Sequence, residues 1–550
     1  MKSFASSRTS TATGKRPQGM PSLRQRDSII LAALALATSA ASFLHYFRHD
    51  AILLYGDSVA HMHIARRVFD SLTPGPLQLG TVWLPLPHIV MMPFLVSDWM
   101  WRSGVGGAIP SMAAYVVGTL GIFRLLHDGL ASRAAASVGA AIYAANPNLI
   151  YLQATAMTEP LYSALFIWTV VFVAEFARKV RSDPGRAAVT LERAGILLAA
   201  AMLTRYDGWF LALFVVPVVL VLLRSSRYQP AYTRLRRAVR NLVLLTIAVA
   251  ALWLTYNFRE FGNPLEFATG QYSARSIAER TSSGVPHPGE GNPWVAALYF
   301  LKCARLNLGE APFGWLLGWA VAGALMVLVA ARHFASWLLL WIPLPFYSLS
   351  IAYGGTPIFI PVWWPFSYYN LRYGLQLLPA VAAFLAFALG LMWRARTNRR
   401  WWRALAVAPV LAVVLGYASA WKGPPICLRE ARTNSATRIP FESKLAAELS
   451  RLPANAILLM YTGAHPGALQ QAGIPLRHVV NESNHPQWEQ ALAAPAHEAD
   501  YVIAMEGDQV ARAVAEQPQG LEPVTVIESA GQPRTTVYKS RWRAARVTPG

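Results

Sequence analysis

Cysteine is nearly missing from this chain. Cys303 and Cys427 are the only two in 550 residues, and they form no Cys-x-x-Cys pair. A structural zinc site and a redox dithiol both need closely spaced thiols, so both are excluded. The two cysteines fall on the side of the membrane assigned below as outer, which leaves a disulfide between them open. Charge is scarce too: 14% of residues are charged against 54% hydrophobic, with a mean hydropathy of +0.33. That balance excludes an ordinary soluble protein. Acids are the scarcer sign, 28 against 49 Lys and Arg, for a net charge of +21. The excess does not read as a nucleic-acid footprint, because it is gathered between apolar runs. The clusters are Lys15, Arg16, Arg24 and Arg26; Arg178, Lys179, Arg181 and Arg186; Arg234, Arg236, Arg237 and Arg240; and Arg394, Arg396, Arg399, Arg400 and Arg403. Basic residues placed this way fix membrane orientation, so no nucleic-acid partner is expected.

What the chain has in abundance is apolar runs, many of about 17–23 residues, long enough to cross a bilayer as helices. Runs at 29–47, 109–126, 134–145, 161–177, 194–203, 209–223, 242–256, 313–330, 336–352, 375–393 and 405–419 predict about eleven spans. An odd count puts the N-terminus inside, every basic cluster inside and the C-terminus outside. Residues 1–28 read as a disordered basic cytoplasmic arm. The first run has a small-residue end like a signal peptide, but a polytopic chain needs a first span, so an uncleaved anchor is expected. Residues 81–101 carry Pro85, Pro87 and Pro93 and end Trp-Met-Trp-Arg, which predicts an interfacial segment rather than a span. The stretch 258–312 shows little apolar periodicity and reads as a lid, a substrate-binding loop or a plain connector.

After Trp421 the composition changes. Residues 456–461, 501–504 and 524–527 predict strands, and 441–452, 488–493 and 509–516 predict helices, which make a small soluble α/β domain over 422–550. It has neither Gly-x-Gly-x-x-Gly nor a Walker pattern, so nucleotide binding is unsupported. Asn481-Glu-Ser483 is a glycosylation sequon by pattern alone.

Ionisable groups at the ends of spans are costly and are functional candidates by default. Four sets fall at the predicted outer ends. The first is Asp57, in Tyr55-Gly-Asp-Ser-Val-Ala-His-Met-His63, directly after the first run. It reads as an N-cap of a helix whose apolar stripe holds Val59, Met62, Ala65, Phe69 and Leu72, with His61 on the face of Asp57 and His63 elsewhere. The others are Thr158-Glu159-Pro160, Thr204-Arg205-Tyr-Asp207-Gly, and Tyr368-Tyr-Asn-Leu-Arg372-Tyr373-Gly. Plainer readings stand beside each: a helix cap for Glu159, a local ion pair for Arg205 with Asp207, and a snorkelling anchor for Arg372. Four charged sets on one face predict the lining of a single cavity.

With Trp83-Leu-Pro-Leu-Pro-His88 between the first two sets, the layout of roughly residues 1–420 is similar to the GT-C glycosyltransferases that use a polyprenyl-phosphate sugar. That group holds the protein O-mannosyltransferases and the lipid A aminoarabinose transferase. The resemblance implies a GT-C-like α-helical polytopic fold and an inverting transfer from a polyprenyl-phosphate-linked donor on the outer face of the cytoplasmic membrane. In that family the first-loop acid is the catalytic base or a metal-associated acid, which maps onto Asp57. An arginine at the outer end of a late span holds the lipid phosphate, which maps onto Arg372. His61, His88, Glu159, Arg205, Asp207 and Tyr373 complete the expected substrate-binding set. Many members carry a second acid beside the first, whereas Ser58 follows Asp57 here. A divalent metal, with Asp57 and His61 as candidate ligands, is therefore left open, as is the acceptor: protein, lipid or glycan. A transporter or a membrane scaffold with an outer binding domain is the alternative; against transport, there is no inverted repeat with broken midplane helices.

Overall fold

The computed structural model describes residues 23–224, 232–281, 285–309, 316–330, 332–394 and 400–544. The proposed arm over 1–28 thus lies mostly outside the described residues, while 23–28 already belong to the first helix. Among the described residues, seven helices are long and apolar enough to cross a membrane: Gln25–Arg48, Val105–Leu130, Glu159–Lys179, Asp207–Arg224, Tyr232–Phe261, Phe334–Tyr353 and Leu371–Trp393. The chain is a multi-pass membrane protein.

The expected eleven spans are not reproduced by length and composition. The other four runs are helical but fall short. The helix Arg133–Ala144 has 12 residues, Pro184–Met202 carries Arg186, Glu192 and Arg193, and Leu316–Val329 and Val407–Ala420 are short apolar helices. Side chains such as Leu34, Leu213 and Leu252 stay more than 60% exposed on the spans, where lipid would cover them. Residues 81–101 form the short helices Leu86–Leu95 and Asp98–Ser103, as the prolines require. Arg66 ties these to the first loop: Nη1 donates to Leu95 O (2.6 Å), Nη2 to Asp98 Oδ1 (2.5 Å) and Nε to Asp70 Oδ2 (2.9 Å).

The described residues of the stretch 258–312 include more regular structure than the composition indicates. It contains a 16-residue helix, Pro293–Leu308, capped by Asn292, whose side chain accepts from the N–H groups of Trp294 and Val295. Ala296, Phe300, Cys303 and Ala304 make its buried face. The Asn-Pro start signal was present in the sequence. Both cysteines are buried and free. The Cys303 thiol points to Leu371 O (3.0 Å) and that of Cys427 to Asn307 Oδ1 (3.4 Å), so each thiol is occupied by a different oxygen acceptor.

The C-terminal part holds a five-stranded sheet in the order β2-β1-β3-β5-β4, with β1 Leu458–Met460, β2 Val479–Val480, β3 Tyr501–Met505, β4 Leu521–Ile527 and β5 Thr535–Ser540. β1 is parallel to β2 and β3, and β5 is antiparallel to β3 and β4. Alternation decides what each face meets. Leu458, Met460, Ile503 and Met505 pack with Met62, Ala65, Met91 and Leu95 of the first loop and interfacial helices. Leu459, Val480, Val502 and Ala504 pack under Trp488 and Val510 on the opposite face. The domain is therefore seated on the first loop. Packing with the membrane part also continues past residue 421: Ile426, Cys427, Leu428 and Ala431 of the helix Ile426–Ser435 belong to the same core as the spans. Asn481 is fully buried, so the sequon is not presented.

Candidate functional site

The four charged sets meet at one end of the bundle. Glu159 and Asp207 open their spans, Arg205 precedes Asp207 by two residues, and Arg372 sits in a 3₁₀ turn, Leu371–Leu377, that leads into a span. Asn370, at φ 58°, turns the chain there, a left-handed conformation that Asn tolerates better than most residues. Gly374 lets the helix Pro293–Leu308 come close, since a Cβ there would stand 2.7 Å from the Ala304 nitrogen. Asn307 on that helix donates to Leu371 O (2.7 Å) and holds the turn in place.

Arg372 is the hub. Its Nε donates to Glu159 Oε1 (3.1 Å), its Nη2 to Asp57 Oδ2 (2.5 Å), and its Nη1 lies 3.6 Å from Glu430 Oε1. The rings of Tyr55 and Tyr373 pack on the guanidinium, 5.2 and 5.1 Å from centroid to Cζ. Its burial and three carboxyl partners exclude the snorkelling reading. Arg205 forms the second centre. Its Nη1 donates to Thr158 Oγ1 (3.2 Å) and Glu159 Oε1 (3.3 Å), its Nη2 to the Tyr347 hydroxyl (3.0 Å), and its Nε lies 3.5 Å from Asp207 Oδ2. Tyr347 in turn donates to Asp207 Oδ2 at 2.8 Å. Glu159 thus links the two guanidiniums, which is more than capping, and no side-chain cap bond is made at that helix start.

Of the four carboxyls in this cluster, Glu159, Asp207 and Glu430 are at most 5% exposed, while the Asp57 side chain is 42% exposed. Asp57 is the most exposed of the four. Its expected cap role is not observed. The N-cap position is Tyr55, and Asp57 sits inside the first turn, where its carboxylate turns to Arg372 instead. A charge-assisted bond to a buried guanidinium outweighs an exposed cap of about 1 kcal/mol.

A cavity of about 630 Å³ adjoins the cluster. His61, Trp83, Arg205, Asp207, Tyr347 and Tyr373 line its polar end; Phe210, Phe346 and Tyr353 continue the wall. Phe267 and Arg275, from the expected loop region, line it as well. The Trp83 segment is pinned to the site where the Leu86 N–H donates to Leu203 O (3.0 Å), one residue before Thr204. Asp57, Glu159 and Arg372 are not part of its lining. His61 turns one ring nitrogen to His88 (Nδ1 to Nε2, 3.0 Å) and lies against Trp83. Burial and the charges of Arg205 and Arg372 push its pKa down to about 3, so it is neutral at pH 7 and serves as a hydrogen-bonding group rather than an acid. His88 is fully buried behind it.

No family model matches the chain, and no curated protein does. Solved structures do. ArnT from Cupriavidus metallidurans bound to undecaprenyl phosphate superposes with a TM-score of 0.55 at 14% identity, covering 93% of this chain and 97% of that one. The apo state of the same protein gives 0.54 at 14% identity, covering 95% and 99%. The fold is GT-C. It extends over nearly the whole chain, C-terminal domain included, where the sequence resemblance covered the membrane part.

Three partners within this frame escaped the sequence reading. Glu430 lies past the last apolar run. It accepts from the Tyr55 hydroxyl (2.9 Å) and the Leu371 N–H (3.1 Å), and burial raises its carboxyl above the usual range against the lowering effect of Arg372. Tyr55 and Tyr347 were hidden in apolar surroundings. The only sequence signal for Glu430 was an acid flanked by Ile426, Cys427, Leu428 and Ala431 at helical spacing. One consequence is testable by truncation. Removing 422–550 takes Glu430 and its helix, whereas removing 437–550 spares them. The longer deletion is expected to give several-fold less monodisperse protein on size-exclusion chromatography in detergent. Equal recoveries would show that Glu430 and its helix do not support the cluster.

Proposed function

We propose that this chain is an integral membrane glycosyltransferase that moves a sugar from a polyprenyl-phosphate-linked donor to an acceptor on the outer face of the membrane, with inversion. One observation carries it: a guanidinium, Arg205, is presented in the wall of a largely apolar cavity at the membrane boundary, one residue network away from the half-exposed carboxylate of Asp57. A lipid-linked sugar has matching parts, a tail for the apolar wall, a phosphate for the cation and an anomeric carbon between them. The ArnT neighbour bound to undecaprenyl phosphate supports such a donor.

In this reading Asp57 takes the proton of the acceptor hydroxyl as its oxygen attacks the anomeric carbon. The bond from that carbon to the phosphate oxygen breaks on the opposite side, and the lipid phosphate leaves with the electron pair. Arg205 offsets the charge that develops there. Arg372 was expected at the phosphate. Its fork is held by Glu159 and Asp57, so it positions Asp57 and gains the phosphate only if that carboxylate yields. His61 and Tyr373 border the sugar, Asp207 fixes Arg205 through Tyr347, and His88 fixes His61. The arrangement does not suit a divalent metal. Asp57 is committed to Arg372 and His61 to His88, and among the described residues no three His, Cys, Asp or Glu side chains converge.

The test is transfer of radiolabel from polyprenyl-phosphate sugars by the full-length protein in nanodiscs, together with a comparison of envelope glycans between a deletion strain and its parent. Unconsumed donors and unchanged glycans would turn the reading toward transport. Outer-face action has its own test. Leu72 on the first loop and Gln519 on the C-terminal domain are exposed, so cysteines introduced there are expected to react with an impermeant maleimide in intact spheroplasts. Labelling of neither would place the site inside.

A further inference from the structure

A second cavity, of about 240 Å³, lies between the first loop and the C-terminal domain. Its walls come from Ala60, His63, Ile64 and Arg67 on one side and from Thr462, Glu482 and Ser483 on the other. It shares Val82 and Trp83 with the larger cavity, so the two stand back to back across that segment. Ala60 and Ile64 follow Asp57 by three and seven residues, which puts them on its face of the helix. The cavity therefore runs along the stripe that carries the proposed base.

Its polar groups are built in and partly unfilled. His63 is 4% exposed, and neither ring nitrogen has a hydrogen-bond partner. Burial and the charge of Arg67 push it down to about 3, so at pH 7 it offers one donor and one acceptor. A buried polar group left unpaired is costly and calls for a ligand that completes it. Arg67 is buried and uses its Nε on Gln78 O (2.6 Å). The Glu482 carboxylate is held in place by the Thr462 N–H (2.8 Å) and hydroxyl (2.9 Å). The C-terminal wall is clamped by Gln78 to Ser483 O (3.0 Å), Asn484 to the Ser71 hydroxyl (2.9 Å) and Arg477 to Asp70 (3.1 Å).

Resting on the transferase reading, we propose that this second cavity is the acceptor site and that it takes a sugar unit of a glycan. Mixed donors and acceptors around an indole ring match a polyol, whose hydroxyls give and take hydrogen bonds in turn while its C–H face lies on an aromatic. A lipid chain would leave His63 unpaired. The volume, below the roughly 300–1,000 Å³ of drug-sized sites, suits one monosaccharide. The hydroxyl that attacks is then delivered from the C-terminal side past Trp83, and the C-terminal domain supplies one wall of the site.

The experiment uses full-length protein in nanodiscs, labelled polyprenyl-phosphate sugar, and three probes from a strain lacking this protein: its envelope glycan, lipid and protein fractions. Label is expected in the glycan fraction. His63→Leu is expected to raise the half-saturating glycan concentration about ten-fold, equivalent to about 1.4 kcal/mol, and to leave half-saturation by donor unchanged. Leu77→Trp, at an exposed position on the cavity rim, is expected to do the same by filling the mouth, and stands in if His63→Leu misfolds. Label in the lipid or protein fraction, or glycan half-saturation within two-fold of the parent in both variants, overturns the acceptor site while leaving the transferase standing. Donor that is not consumed with any fraction overturns both.

Discussion

Replacing Asp57 by Asn is expected to lower sugar transfer by about 10²–10⁴-fold, the usual cost of losing a positioned general base. The substitution keeps the side chain's size and an oxygen that can still accept from Arg372 Nη2, but it removes the basic oxygen. Folding should survive, because Glu159 and Glu430 continue to balance the Arg372 guanidinium. The loss should appear in the rate at saturating donor and acceptor rather than in either half-saturation. His61→Ala is expected to do far less, since His61 is neutral and its one side-chain bond goes to His88. Transfer by Asp57→Asn within a few-fold of the parent, with unchanged thermal unfolding, would remove Asp57 from the chemistry. Glu159 would be a poor replacement, being buried and outside the cavity lining, which makes Asp207, in the cavity wall, the next acid to test.

Arg372→Met should strongly destabilise the protein rather than merely weaken donor binding. Its guanidinium faces Glu159 and Glu430, both buried, and removing one partner of a buried ion pair typically costs about 3–5 kcal/mol because the other charge is left uncompensated. Pairing it with Glu159→Gln removes one orphaned charge and is expected to restore part of the stability. Thermal unfolding in detergent, followed by intrinsic tryptophan fluorescence, checks both. A single variant as stable as the parent would show that water or local rearrangement satisfies the carboxylates, and that Arg372 is free to serve the phosphate. Arg372→Lys should fall between them, since a point charge cannot bond Glu159 and Asp57 through a planar fork.

Much of the frame was legible in the chain. Apolar runs marked the spans because a bilayer leaves a long apolar helix few alternatives, and prolines marked residues 81–101 as something other than a span. Period-two runs gave β1, β3 and β4 of the C-terminal sheet. β2 has two residues and β5 carries polar Thr535, Thr536, Lys539 and Ser540, so neither shows a periodic signal. The helix Pro293–Leu308 was missed because its Gly- and Pro-rich flanks masked a local start signal.

By itself, the sequence determined which residues are expensive to place in or beside a membrane, and so which groups had to find one another: Asp57, Glu159, Arg205, Asp207 and Arg372. That follows from solvation, which is a property of each residue and its neighbours in the chain. Only the tertiary structure decided the pairings. Asp57 and Arg372 are separated by 315 positions and Glu430 joins them from beyond the last span, contacts that no local periodicity encodes. It also decided that Arg205 stands in the cavity wall with Arg372 outside the lining, because the closeness of the helix Pro293–Leu308 at Gly374 sets where the Leu371–Leu377 turn can lie.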